Sequence, residues 1–137
     1  VKFVVTRTNL FPVDFREGFV DFKERDFSFR ITAPERAALE MLHLVPKEVG
    51  FAEAQLIVEN LVALRPDVVQ RLLETCRSVK VKRLFLYMAE KKDHLWLSKL
   101  DLSKVGLGKG KRMIVRQGRL DAKYQITVPV DHEGTPS

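Results

Sequence analysis

The chain has 137 residues, 45% of them hydrophobic and 31% charged, with a formal net charge of +6. This is one domain's worth of a folded, soluble globular protein, long enough to bury roughly two-thirds of the surface its unfolded form exposes. No apolar run approaches the roughly 20 residues of a membrane span, the opening VKFVVTRTNLFP lacks the pattern of a signal peptide, and a lone cysteine, Cys76, excludes an internal disulfide, so a reducing, cytoplasmic location without a membrane partner is expected.

KFVVTR (2–7) is β-branched and aromatic and FSFRIT (27–32) alternates, so both read as strands, with room for another short strand in the irregular stretch between them. The chain begins at Val1 and not at a methionine, with residues that already read as a strand. A segment of a longer protein is therefore expected; a processed complete protein is the alternative. From Thr32 the period changes. Thr32 and Glu35 form a T-x-x-E capping box with Pro34 in the first turn, and Ala38, Met41, Leu42 and Val45 follow at helical spacing. A second helix is expected near 51–64, with Ala54, Ile57, Val58 and Leu61 on its apolar face. Pro66 and Asp67 restart a third, faced by Val69, Leu72, Leu73 and Cys76. Its place on that stripe makes Cys76 an inert structural thiol.

The fourth helix grows out of CRSVKVKRLFLYMAE (76–90). Ser78 is placed to cap it, and Val81, Leu84, Phe85 and Met88 supply a core face. At 100° per residue, Lys80, Arg83, Tyr87 and Lys91 form a second stripe, read as an exposed basic strip, while Leu86 points to a further side and embeds the helix in the domain. Beyond it, KVGLGKGKR (104–112) is a glycine-rich loop that is not a Walker A motif. RMIVR (112–116) and YQITV (124–128), joined through a loop containing Gly118, read as a β-hairpin; the polar residues 130–137 read as a disordered tail.

Charge divides unevenly along this order. Residues 1–76 hold 10 Lys/Arg against 12 Asp/Glu, and residues 77–137 hold 14 against 6. A surface facing phosphates or an acidic partner has that asymmetry. Arg77, Lys80, Lys82, Arg83, Lys104, Lys109, Lys111 and Arg112 are accordingly expected to form one electropositive surface toward the phosphates of DNA or RNA, against the plainer reading of a solvated helix face. Signs of catalysis are thin. His43, His94 and His132 are isolated, G-x-S-x-G and H-E-x-x-H are absent, and the acids between Asp14 and Asp26 lie in a turn-rich connection. No enzyme, cofactor or metal site is expected. The fold expected is α+β: a small mixed or antiparallel sheet from 1–7, 27–32, 112–116 and 124–128 on about four helices between 34 and 92.

ITAPERAALEMLHLVP, LVALRPDVVQRLLETCRSVKVKRLFLYMAE and DLSKVGLGKGKRMIVRQGRLDAKYQITVP together resemble the carboxy-terminal domain of AbiEi-family antitoxins, which belong to type IV toxin–antitoxin systems active in abortive infection. The resemblance implies a single such domain over 1–129, usually preceded by an amino-terminal winged-helix domain that binds the operon's promoter. It further implies a role in neutralising a nucleotidyltransferase toxin without a stable complex. It carries no residue-level mechanism. The competing reading is a stand-alone, basic, winged-helix-like regulator that binds nucleic acid; a nuclease or transferase is the third.

Overall fold

A computed structural model describes residues 10–116 and 118–130. The strand expected over 2–7 lies outside these residues, as do residues 131–137 of the expected tail. In chain order come β1 (Phe19–Glu24), β2 (Phe27–Thr32), α1 (Pro34–His43), α2 (Phe51–Glu59), α3 (Pro66–Thr75), α4 (Val79–Ala89), two short 3₁₀ turns (Leu97–Lys99 and Leu102–Lys104), β3 (Arg112–Met113), β4 (Gly118–Asp121) and β5 (Ile126–Pro129). The class is α+β, as expected. The strands, however, form two sheets: an antiparallel β1–β2 hairpin and a mixed three-stranded sheet in the order β3-β5-β4.

The helices organise around α4, which packs against α1, α2 and β5. Every residue from Val81 to Ala89 is buried. A helix covered on one side needs one apolar stripe; one covered on several sides is buried all round, as the inward position of Leu86 anticipates. The Ser78 cap forms as expected, its Oγ accepting from the Val81 N–H at 3.1 Å, which satisfies one of the helix's orphan donors. The α3 stripe also holds: Val69, Leu72, Leu73 and Cys76 are all buried.

Three local expectations are corrected. Thr32 does not cap α1. It remains in β2 opposite Phe19, the helix starts after an extended Ala33 without a side-chain cap, and the Glu35 carboxylate turns instead to Arg65, accepting from its backbone N–H at 2.9 Å and from its guanidinium at 3.0 and 3.1 Å. The second helix stops at Glu59, short of 64, because Asn60 closes it: its side-chain amide donates to the Leu56 carbonyl at 2.8 Å. Ile57, assigned to the core face, is 40% exposed. Finally, 112–116 and 124–128 are not hairpin partners. β3 runs parallel to β5, and the antiparallel partner of β5 is β4, within the stretch read as the connecting loop. Asp121 makes the tight turn, its carboxylate accepting from the Tyr124 N–H at 2.8 Å and its carbonyl from the Gln125 N–H at 2.8 Å. A Cβ at Gly118 would stand 2.1 Å from the Val128 carbonyl oxygen, so β4 approaches β5 only because that residue has no side chain.

Candidate nucleic-acid interface

The eight cations singled out from the sequence separate into two groups. Arg77, Lys104, Lys109, Lys111 and Arg112 are exposed. Arg77 follows α3, and its backbone N–H donates to the Leu10 carbonyl at 2.7 Å. Lys104 ends the second 3₁₀ turn, 4.0 Å from the Asp101 carboxylate, a loose pair in solvent. Lys109, Lys111 and Arg112 stand on the glycine-rich loop, where Arg112 makes only long contacts with the carbonyls of Lys109 and Lys111, at 3.5 and 3.4 Å.

Of the strip expected to be exposed, Lys91 is exposed but Lys80 and Arg83 are not, and neither is Lys82, expected on the same positive surface. Lys80 is half-buried and donates to the Val45 carbonyl at 2.7 Å and the His43 carbonyl at 3.2 Å. It thus places an ammonium on carbonyls at the C-terminal end of α1, where the helix dipole favours a cation. Burial lowers its pKa. Arg83 is 3% exposed; its guanidinium donates to the carbonyls of Leu107 at 2.8 Å, of Gly110, and of Gln125 at 3.3 Å. Lys82 is 6% exposed. Tyr87, on the same expected stripe, is also buried. The physical reason is tertiary: the C-terminal end of α1 takes up Lys80, while the loop after Val105 and the turn before β5 fold over the side of α4 that carries Lys82 and Arg83.

The loop is fastened down tightly. Gly108 has φ +71 and Gly110 φ +81, a region that side chains rarely adopt, and a Cβ at Gly108 would stand 2.9 Å from the Val79 side chain. Arg83 draws two of the loop's carbonyls inward, and the exposed side chains of Lys109, Lys111 and Arg112 project from the outside. Residues outside the original set add to the positive face: Arg116 and Arg119 are exposed, and Arg119 reaches the Tyr87 hydroxyl at 3.3 Å. In the sequence both are cations flanking Gly118, within the stretch expected to form a hairpin, and nothing local marks them as part of the positive face. No acidic residue occurs between Glu74 and Glu90 or between Asp101 and Asp121, so nothing within these stretches balances the charge.

Other candidates resolve into structure. His94 stacks on Trp96 with centroids 5.0 Å apart, its Nε2 is 3.1 Å from the Val58 carbonyl, and the Trp96 indole N–H donates to the Leu61 carbonyl at 2.7 Å. Cys76 is buried, and burial pushes its thiol pKa up, against smaller opposing effects of the Ser78 backbone and Lys82. That is the inert state expected of it. Among the described residues no group of three or more His, Cys, Asp or Glu could hold a metal ion, and no helix is long and apolar enough to cross a membrane. A winged-helix reading requires α4 to present a face to the major groove; with Val81–Ala89 buried throughout, α4 has no such face.

Compared with known proteins, the chain matches over residues 1–129 the family model described as transcriptional regulator, AbiEi antitoxin, type IV toxin–antitoxin system. No curated protein and no solved structure matches it.

Proposed function

Because this chain belongs to the AbiEi family of type IV antitoxins and transcriptional regulators, we propose that it acts without catalysis, in the cytoplasm, to neutralise a nucleotidyltransferase toxin, and that its exposed cations assist contact with promoter DNA. The family match carries the antitoxin reading. The DNA contact is supported by the placement of Arg77, Lys104, Lys109, Lys111 and Arg112 at the surface, within stretches that contain no acid of their own. Lys80 and Arg83 have their donors committed to backbone carbonyls and are assigned to positioning, not to direct phosphate contact.

Growth rescue tests the neutralising role. Residues 1–137 are expressed beside the nucleotidyltransferase encoded next to the parent gene, with the level of folded chain measured in the same cells. Restored growth is expected; continued arrest in the presence of folded chain would refute the assignment. The second readout is DNA affinity against salt, where each phosphate neutralised by Lys or Arg contributes a slope of about −0.9. Replacing Lys109 and Lys111 by glutamate should flatten that slope.

A further inference from the structure

We propose that Val105–Lys111 is a phosphate-binding loop for duplex DNA, with the Lys82 ammonium as its floor and Arg83 as the residue that holds it open. The inference rests on the DNA-contacting reading above and assigns it to one site. Arg83 accounts for the loop's shape. In a trans peptide unit the C=O and the following N–H point in opposite directions. With the carbonyls of Leu107 and Gly110 turned onto the buried guanidinium, the N–H groups of Gly108 and Lys111 are directed away from it, toward the exposed side. Among the described residues, none of the six backbone N–H groups from Gly106 to Lys111 has an acceptor. Consecutive free N–H groups on a glycine-rich turn make a concavity for an anion, and here Lys109 and Lys111 flank it.

Lys82 is the independent sign of a ligand. Its side chain is buried, yet its Nζ donates to no acceptor among the described residues, and it lies 3.8 Å from the point a Cβ on Gly106 would occupy. Each of its neighbours in kind is satisfied: Lys80 by two carbonyls, Arg83 by three. A buried ammonium with three donors and no acceptor is costly. A phosphodiester oxygen arriving over Gly106 would offset that cost, receiving charge-assisted bonds from Lys82 and from the loop's N–H groups together.

Two properties of Lys82→Met, measured on the whole chain, decide the matter. Removing an unpartnered buried charge should leave the thermal midpoint unchanged or raise it, whereas removing a structural lysine lowers it. In fluorescence anisotropy with a short labelled duplex, across roughly 50 to 200 mM salt, the same variant should bind about tenfold more weakly with a slope shallower by about one. Gly106→Val, which keeps every charge and covers Nζ with a side chain, should lose affinity to a similar degree. If wild type binds the duplex and both variants bind equally well with the same slope, the loop assignment falls while the broader basic surface stands. If wild type shows no salt-dependent binding at all, both fall. A Lys82-dependent preference for single-stranded RNA over the duplex would overturn the assignment to DNA.

Discussion

Buried positive charge is handled in two ways in this molecule. In the amino-terminal part, Arg36 of α1 is enclosed by counterparts: its Nε is 3.2 Å from the Glu40 carboxylate, its Nη1 donates to the carbonyls of Phe15 at 3.0 Å and Glu17 at 2.8 Å, and its guanidinium lies 4.5 and 4.1 Å from the ring centroids of Phe11 and Phe19. Glu35 one residue earlier is matched by Arg65. Around α4 the buried cations Lys80 and Arg83 donate to backbone carbonyls, Lys82 donates to nothing among the described residues, and none of the three is hydrogen-bonded to a carboxylate there. The first arrangement is complete in itself and serves the fold. The second leaves net positive charge beneath an exposed loop, which is how a surface that awaits an anion differs from one that has folded around its own.

Arg36→Met should give the largest effect, about 3 kcal/mol of lost stability in denaturant unfolding. It breaks an ion pair whose side chains are only 9% and 15% exposed and leaves Glu40 uncompensated. It also strips two carbonyls of donors. Arg83→Met should cost less, about 1 kcal/mol, because two of the three carbonyls it abandons, those of Leu107 and Gly110, lie in a loop that water can reach, and because the charge removed had no counter-ion. Its clearer signature is faster amide exchange over 106–111 with the helical core unchanged. A loss equal to that of Arg36→Met would break the contrast between the two regions.

The smallest effect is in pH dependence, and it sharpens the same contrast. Burial raises the pKa of Glu35, but the bonds from Arg65 outweigh it and hold the carboxyl below its ordinary 4.5. A carboxylate with a depressed folded-state pKa contributes stability that is present above the unfolded value and lost as pH falls through the folded one. Wild type should therefore lose thermal midpoint below pH 4.5 more steeply than Glu35→Gln, while at neutral pH the variant is the less stable. Lys82→Met has no carboxylate to release and should leave that acid limb unchanged. Parallel acid limbs for wild type and Glu35→Gln would remove Glu35 from the account.

Much of the helical part was legible because its signals are local. Ser78 caps α4 through a bond to Val81, three residues on, and the α3 stripe from Val69 to Cys76 follows from 3.6-residue spacing alone. The family resemblance was legible for the same reason, in continuous strings of residues. The T-x-x-E box failed because a partner 30 residues away, Arg65, competed for Glu35 and β2 kept Thr32. The hairpin was misassigned because two strands that alternate alike do not state which is parallel to which; the Asp121 turn and the bare Cα of Gly118 decided it.

The sequence by itself determined the helices, the α4 core face, the uneven charge and the family, since each depends on residues within a few turns of one another. Only the tertiary structure decided which cations are free. Whether Arg83 faces water depends on Leu107, Gly110 and Gln125, which lie 24 to 42 residues away. Periodicity says which residues share a side of a helix, but not how many sides the rest of the chain will cover.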